Sequence, residues 1–350
     1  MKGFILKCAL LALMLPSLAF AAQSFTVMSY NVENLFDTKH DEGKKDFTYL
    51  PLAVKKANPE VFNYCRTIQV PPWREECYTL DWSEKIFKAK IRNLSKVIKS
   101  FDNNRQPDIL VLQEVENLNA VQRLNTEGNL NYENIILIEG EDSRGIDVAI
   151  LSNFAVQGEP ELHYIDTQKR VKTRGILEAK FEIYGNTVAV FANHWPSQFN
   201  PDELRALAAK KLMFASSRTR ADIRIAAGDF NTKPSDNPNG IDDVVLLPRR
   251  SIYFLPTNPD FEALGNEHAE GSHWYRGKWH FLDRIFIDSK STENGVRTSF
   301  ILHAKDYMLK EKKYRRNKKT VTDIVPYRFK PEEGKGYSDH LPIGIVVHIP

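Results

Sequence analysis

Ten short apolar runs rich in Val, Ile and Phe recur along the chain, at 25–30, 109–115, 135–138, 148–151, 176–183, 188–192, 223–227, 281–287, 300–302 and 343–349. Their length and β-branched content read as strands, and they dominate what this chain can fold into. Tyr184-Gly185-Asn186-Thr187 separates two of them by a tight turn, so part of the sheet is antiparallel. Helical periodicity is clearest over 84–99, where Ile86, Phe87, Ile91, Leu94, Val97 and Ile98 share one face. A second helix is expected to start at Asn200-Pro201, with Asn200 as cap and proline in the first turn, and to run to Ser217. Strands outnumber helices and follow one another directly, which argues against simple β/α alternation. The expected class is α+β, with sheets packed on each other and helices outside, an α/β/β/α sandwich.

Residues 1–21 read differently from the rest: Lys2 and Lys7, an apolar stretch, then Ala19-Phe20-Ala21. This is the pattern of a cleavable export signal, and the apolar stretch is short for a membrane span. The expected mature domain is 22–350, exported to a periplasmic or extracellular space. The formal charge of +3 includes Lys2 and Lys7, so the mature chain carries about +1 and offers no global basic field. Cys8 leaves with the signal, and Cys65 and Cys77 remain as a close pair expected to be oxidised outside the cytoplasm. Two stretches fall outside the strand pattern and read as surface insertions, 39–81 with the cysteine pair and 305–336 with a basic run from Lys310 to Lys319.

Chemistry-bearing side chains gather at the ends of the apolar runs. Asn31 and Glu33 follow the first, Gln113-Glu114 interrupt the second, and Asn193-His194-Trp195 end another. Gly228-Asp229-Phe230-Asn231 ends the next, Asp283 lies inside 281–287, and Ser338-Asp339-His340 precedes the last. Any one of these alone is an ordinary turn or cap. Together they would place Glu114, Asp229, Asp283 and Asp339 in one cleft, which is intolerably repulsive unless cations or retained protons offset the charge. Carboxylate and amide oxygens favour Mg²⁺, Mn²⁺ or Ca²⁺ over zinc. Two histidines beside carboxylates supply proton transfer and charge stabilisation, the remaining needs of phosphoester hydrolysis.

The ordered set SYNVENLF, LVLQEVEN, ANHWPS, GDFN, LDRIFI and SDHLP resembles the endonuclease/exonuclease/phosphatase superfamily over almost the whole mature chain. The resemblance implies a four-layered sandwich of two packed mixed sheets with the site at one rim. It implies that Asn31, Glu114 and Asp339 hold the metal, Glu114 foremost, that Asp229 and Asn231 position or activate water, and that Asp283 orients His340. His194 resembles the histidine of the deoxyribonuclease and sphingomyelinase branches, with Asp147 as the expected carboxylate beside it, raising its pKa. Arg144 and Arg174, each just before a strand, are candidates for phosphate contact.

No motif fixes the substrate branch. The leading reading is an exported nuclease cutting phosphodiesters in DNA or RNA, with the run from Lys310 to Lys319 tracking the backbone. A solvated loop is the plainer reading of that run. A phospholipid or sugar-phosphate phosphoesterase would use the same centre on a phosphorylated small molecule or lipid. A binding protein or toxin subunit without catalysis is the third class, and the intact polar set weighs against it. No stable protein partner is evident from the sequence.

Overall fold

The computed structural model describes residues 23–168, 171–248, 252–258, 269–316 and 318–350. The expected export signal, 1–21, lies outside the described residues. In chain order the strands are β1 (Gln23–Leu35), β2 (Ile109–Val115), β3 (Asn134–Ile136), β4 (Asp147–Ser152), β5 (Glu161–His163), β6 (Ile176–Ile183), β7 (Asn186–His194) and β8 (Ile223–Asp229). They continue as β9 (Phe254–Pro256), β10 (His273–Tyr275), β11 (Lys278–His280), β12 (Asp283–Asp288), β13 (Arg297–Leu302), β14 (Leu309–Arg316), β15 (Lys319–Pro326) and β16 (Ile343–Ile349). The helices are α1 (Leu52–Ala57), α2 (Pro59–Thr67), α3 (Pro71–Thr79), α4 (Glu84–Lys99), α5 (Leu118–Glu127), α6 (Asp202–Arg218) and α7 (Ser289–Glu293).

Two six-stranded sheets, ordered β13-β16-β1-β2-β4-β3 and β5-β6-β7-β8-β12-β9, form the body. Alternation along each strand decides which layer a side chain joins. Phe25 and Val27 of β1, Ile109 and Val111 of β2, Val188 and Val190 of β7, and Ile223 and Ile225 of β8 meet between the sheets. Their neighbours Met28, Tyr30, Leu110 and Leu112 point the other way, onto Phe87, Ile91, Leu94 and Ile98 of α4. Ala189, Phe191 and Ala226 point out of the second sheet onto Ala208, Leu212 and Met213 of α6. The result is the α/β/β/α sandwich, with the central strands buried on both faces and edge strands such as β13 partly exposed.

All ten apolar runs fall on strands of the two sheets, with 137–138 and 281–282 lying just outside β3 and β12. The expected turn is a two-residue hairpin loop with Tyr184 at φ 51° and Gly185 at φ 78°, as the right-handed twist of its strands demands. One detail departs from expectation: α6 starts at Asp202 with Pro201 before it, and Asn200 does not cap the helix. Its amide instead donates to Ser197 Oγ at 3.3 Å.

The stretch 39–81 carries α1, α2 and α3, with a Cys65–Cys77 disulfide joining α2 to α3. Both cysteines are buried with Phe47, Leu50 and Val61. Within the stretch 305–336, β14 and β15 pair through eight residues from Leu309↔Pro326 to Arg316↔Lys319. Among the described residues no helix is long and apolar enough to cross a membrane.

Candidate active site

Sheet register builds the site before any side chain is considered. In each sheet one neighbouring pair is parallel, β1 with β2 and β7 with β8, while the other pairs are antiparallel. Each parallel pair brings two carboxyl ends to the same rim. Along the second sheet His194, Asp229 and Asp283 stand in one lateral row, since His194 is in register with Asp229 and Asp283 with Asp229. Gly228, at φ 150°, makes the row possible: a Cβ there would fall 1.9 Å from the Asn193 carbonyl oxygen.

On the first sheet the ladder is broken where chemistry is needed. Glu114 has φ 61°, and the β2–β4 register shifts between Gln113 and Val115. This bulge aims the Glu114 carboxylate at the cleft. Glu33, Asn34 and Asn231 near this rim also have positive φ.

Asp229 is the hub. Its Oδ1 accepts the Asn231 N–H at 2.9 Å, which fixes the carboxylate. Its Oδ2 lies 3.2 Å from Asn31 Nδ2, 3.7 Å from His194 Nε2 and 4.0 Å from His340 Nε2. Asn31 Nδ2 also donates to Glu114 Oε1 at 3.3 Å, and His194 Nε2 is 3.8 Å from the same oxygen. Two carboxylate oxygens from two sheets therefore converge on one small volume.

The two imidazoles are unequal. Burial pulls His340 towards its neutral form, but the Asp283 carboxylate, 2.7 Å from Nδ1, and the nearby Asp229 and Asp339 outweigh it and hold the pKa well above the ordinary value. His194 is driven the other way, first by burial and then by Arg174, Arg144 and His340. Asp339 stays below the usual carboxylate range because His340 and Arg328, with smaller help from His273 and Lys90, overcome its burial. Asp229 is raised by burial and by Asp283.

Of the residues expected from sequence, Asn31, Glu114, His194, Asp229, Asn231, Asp283 and His340 come together in this contact network. Asp147 does not. It begins β4 in the first sheet, and its Oδ1 accepts the Gly140 N–H at 2.9 Å, whereas the carboxylates within 4 Å of His194 are Glu114 and Asp229. The expected rise in the His194 pKa is reversed, first by burial and then by Arg174, Arg144 and His340. Arg174 is buried and engaged, giving Nη2 to the Trp195 carbonyl at 2.8 Å and Nη1 to Asp142 at 3.2 Å. Arg144 also holds Asp142, at 3.2 Å, but leaves about half its side chain exposed.

Sequence reasoning overlooked several supports. Asp142 organises both arginines, and its nearness in sequence to Arg144 was the available signal. Ser338 Oγ donates to the Asn31 carbonyl at 2.7 Å and accepts the His340 N–H at 3.1 Å, tying the SDH segment to β1. The His273 ring packs on His340 with centroids 4.6 Å apart. Glu33 pairs with Arg328, while its carbonyl and that of Tyr337 receive the buried Lys90 ammonium at 3.1 and 2.8 Å. No sequence pattern joins these distant segments.

The donor set fits a hard divalent cation. Glu114 and Asp339 offer carboxylates and Asn31 an amide, with no thiolate present, and the cleft's acids outnumber its one imidazolium. Asn31 Oδ1 accepts the Glu33 N–H at 3.0 Å, which orients the amide.

A paired-sheet sandwich carrying an acid-rich, two-histidine rim defines the class of metal-dependent phosphoesterases. The chain belongs to the Endonuclease/Exonuclease/phosphatase family, whose model matches residues 57–349. Proteins of this family use divalent metals. Among solved structures it is similar to D. rerio TDP2 complexed with a single-strand DNA product, at 18% identity and a TM-score of 0.50, covering 93% of this chain and 99% of that one. It is also similar to SmcL, at 15% identity and a TM-score of 0.52, over 93% and 99%. A family protein from Bacteroides thetaiotaomicron matches at 13% identity and a TM-score of 0.50, over 95% and 100%. These likenesses establish the fold alone. No curated protein matches the sequence.

Proposed function

We propose that this chain is an exported, metal-dependent nuclease that hydrolyses phosphodiester bonds in nucleic acid. A divalent ion held by Glu114 and Asp339, with Asn31 beside them, would supply neutralisation of phosphate charge and polarisation of a phosphoryl oxygen. The chain's own groups do the rest. Asp229, fixed by the Asn231 N–H, positions or deprotonates the attacking water. His340, kept protonated by Asp283, binds phosphate charge and can give its Nε2 proton to a leaving oxygen. His194, kept neutral by burial and by two arginines, steadies the phosphate as a neutral group, and Arg144 is placed to contact phosphate oxygens.

The observation that carries the nucleic-acid reading is where the basic run sits. Trp274 of β10 donates to Asp323 of β15 at 3.1 Å, packs on Tyr314 of β14 at 5.4 Å between ring centroids, and lies under the Lys312 ammonium at 4.5 Å. The preceding residue, His273, bridges to His340 and packs on its ring. A hairpin bearing Lys310, Lys312, Lys313, Arg315, Arg316 and Lys319 is thus anchored one residue from the wall of the active site. Charge placed there suits a polyanion that extends beyond the scissile bond. Similarity to a TDP2 captured with a single-strand DNA product supports the reading, and a lipid or small-phosphate substrate is its rival.

The test is a panel of plasmid DNA, single-stranded DNA, RNA, sphingomyelin and inositol phosphates, each with Mg²⁺, Mn²⁺, Ca²⁺ or chelator. Metal-dependent cleavage of nucleic acid, weakened by salt, is expected. Turnover of sphingomyelin or an inositol phosphate with none of nucleic acid would replace the proposal by its rival.

A further inference from the structure

A second group of acids lies apart from the catalytic contacts, where the segment after β1 crosses the end of β2. Asp41, Asp46 and Glu116 each bring a carboxylate oxygen within 4.8 Å of the others. Asp46 and Glu116 are each 2% exposed. Acid clusters are common on surfaces, where water screens them; these two carboxylates have no such help.

The decisive atom is Glu116 Oε1, which is buried and has no hydrogen-bond partner. Its twin Oε2 accepts the Asp37 N–H at 2.6 Å, so the side chain is held in place with one oxygen left over. A buried acceptor without a partner is costly, and a buried charge more so. The other acids have donors: Asp46 Oδ2 takes the Asp41 N–H at 2.7 Å, and Asp41 Oδ2 takes Asn117 Nδ2 at 2.9 Å. These are neutral donors and cancel no charge. Among the described residues, no lysine or arginine nitrogen lies within 4 Å of the three carboxylates, and the one basic partner is His40, whose Nδ1 meets Asp46.

Three carboxyl groups with one imidazole partner leave a site of low exposure rich in oxygen donors and poor in cationic partners. We propose that Asp41, Asp46 and Glu116 form a second divalent-cation site, distinct from the catalytic one and of the calcium class. All the donors are oxygens, which selects a hard cation. Three carboxylates drawn from a loop and a strand end suit the irregular, ligand-rich shell of Ca²⁺; Mg²⁺ commonly keeps several waters and one or two carboxylates. An ion here would fasten the segment 37–46 to the strand end that displays Glu114, two residues before Glu116. Its role is structural, so its signature is stability before activity.

The experiment uses the full mature chain stripped of metal, in the Glu114→Gln background, so that the catalytic site contributes little. CaCl₂ is titrated by calorimetry, and Tm is measured in parallel. One calcium per chain should still bind, raising Tm by about 4 °C at a calcium concentration near a hundredfold Kd. Adding Asp41→Asn, at a half-exposed position, should abolish that binding and that shift while the metal-free Tm and circular dichroism stay close to the parent's. Glu116→Gln in the same background should do the same, and agreement of the two variants guards against misfolding of either. If Glu114→Gln protein binds no calcium and its Tm ignores CaCl₂, the cluster is compensated by His40 and retained protons, and the proposal fails. It fails equally if both double variants bind calcium as tightly as Glu114→Gln alone.

Discussion

His340 Nδ1 and Asp283 Oδ2 are 2.7 Å apart, buried, and joined from positions 57 residues apart in sequence. That contact makes His340 the charged imidazole of the site. Replacing His340 by alanine removes both the clamp and the proton donor, and should lower kcat by about 10² to 10⁴-fold with fold and metal content intact. Asp283→Asn should lower the pKa of His340 and move the alkaline limb of the kcat profile to lower pH. A His340→Ala enzyme within about threefold of the parent, far inside that range, would remove the residue from the mechanism.

Asp147 offers a test through stability. Burial raises its carboxyl from 3.8 to about 7, against the opposing Gly140 N–H. The folded state therefore holds the proton more tightly than the unfolded chain does. This stabilises below the unfolded pKa and is lost as pH rises towards 7. Asp147→Asn keeps an acceptor for Gly140 and cannot ionise. Its stability relative to the parent should improve from pH 4 to 7, by up to about 4 kcal/mol. Because Asp147 does not touch His194, kcat should stay close to the parent's. Chemical denaturation across that pH range decides, and a flat difference would contradict the assignment.

Neutralising Lys313, Arg315 and Lys319 together should leave hydrolysis of a small phosphodiester unchanged. Binding of single-stranded DNA should weaken, and the slope of log K against log salt should fall by up to ~2. An unchanged slope would return the hairpin to plain solvated surface.

The Cys65–Cys77 link closes a short loop between α2 and α3, with a sequence separation of 12. Cys65→Ser should cost about 3 kcal/mol or less, chiefly within the 39–81 segment, and leave kcat intact because neither sulfur approaches the site. Calorimetry and kinetics on the one variant check both halves.

Much of the frame was legible because strands buried on both faces announce themselves: Ile109–Val115 and Ile223–Asp229 are near-continuous apolar runs ending in Glu114 and Asp229. What escaped was short or two-sidedly exposed. Glu161–His163 and Phe254–Pro256 have three residues each, too few for periodicity. β14 and β15 leave most of their side chains partly or fully exposed, so a run such as Lys310 to Arg316 reads as charge alone. Asp147 was misplaced because an acid next to a strand says nothing about which sheet that strand joins. Asp142, His273 and Arg328 earn their positions through contacts between distant segments, which no local pattern encodes.

Phosphodiester hydrolysis by this chain is expected to depend on a divalent ion held at Glu114 beside Asp229. The most direct test is the rate on bis(p-nitrophenyl) phosphate of metal-stripped parent and Glu114→Gln enzymes as Mg²⁺ or Mn²⁺ is restored. The parent should be inactive in excess EDTA and recover fully with metal, while Glu114→Gln should need far more metal and reach a much lower rate. Full parental activity in excess EDTA, or a Glu114→Gln enzyme matching the parent at every metal concentration, would contradict it.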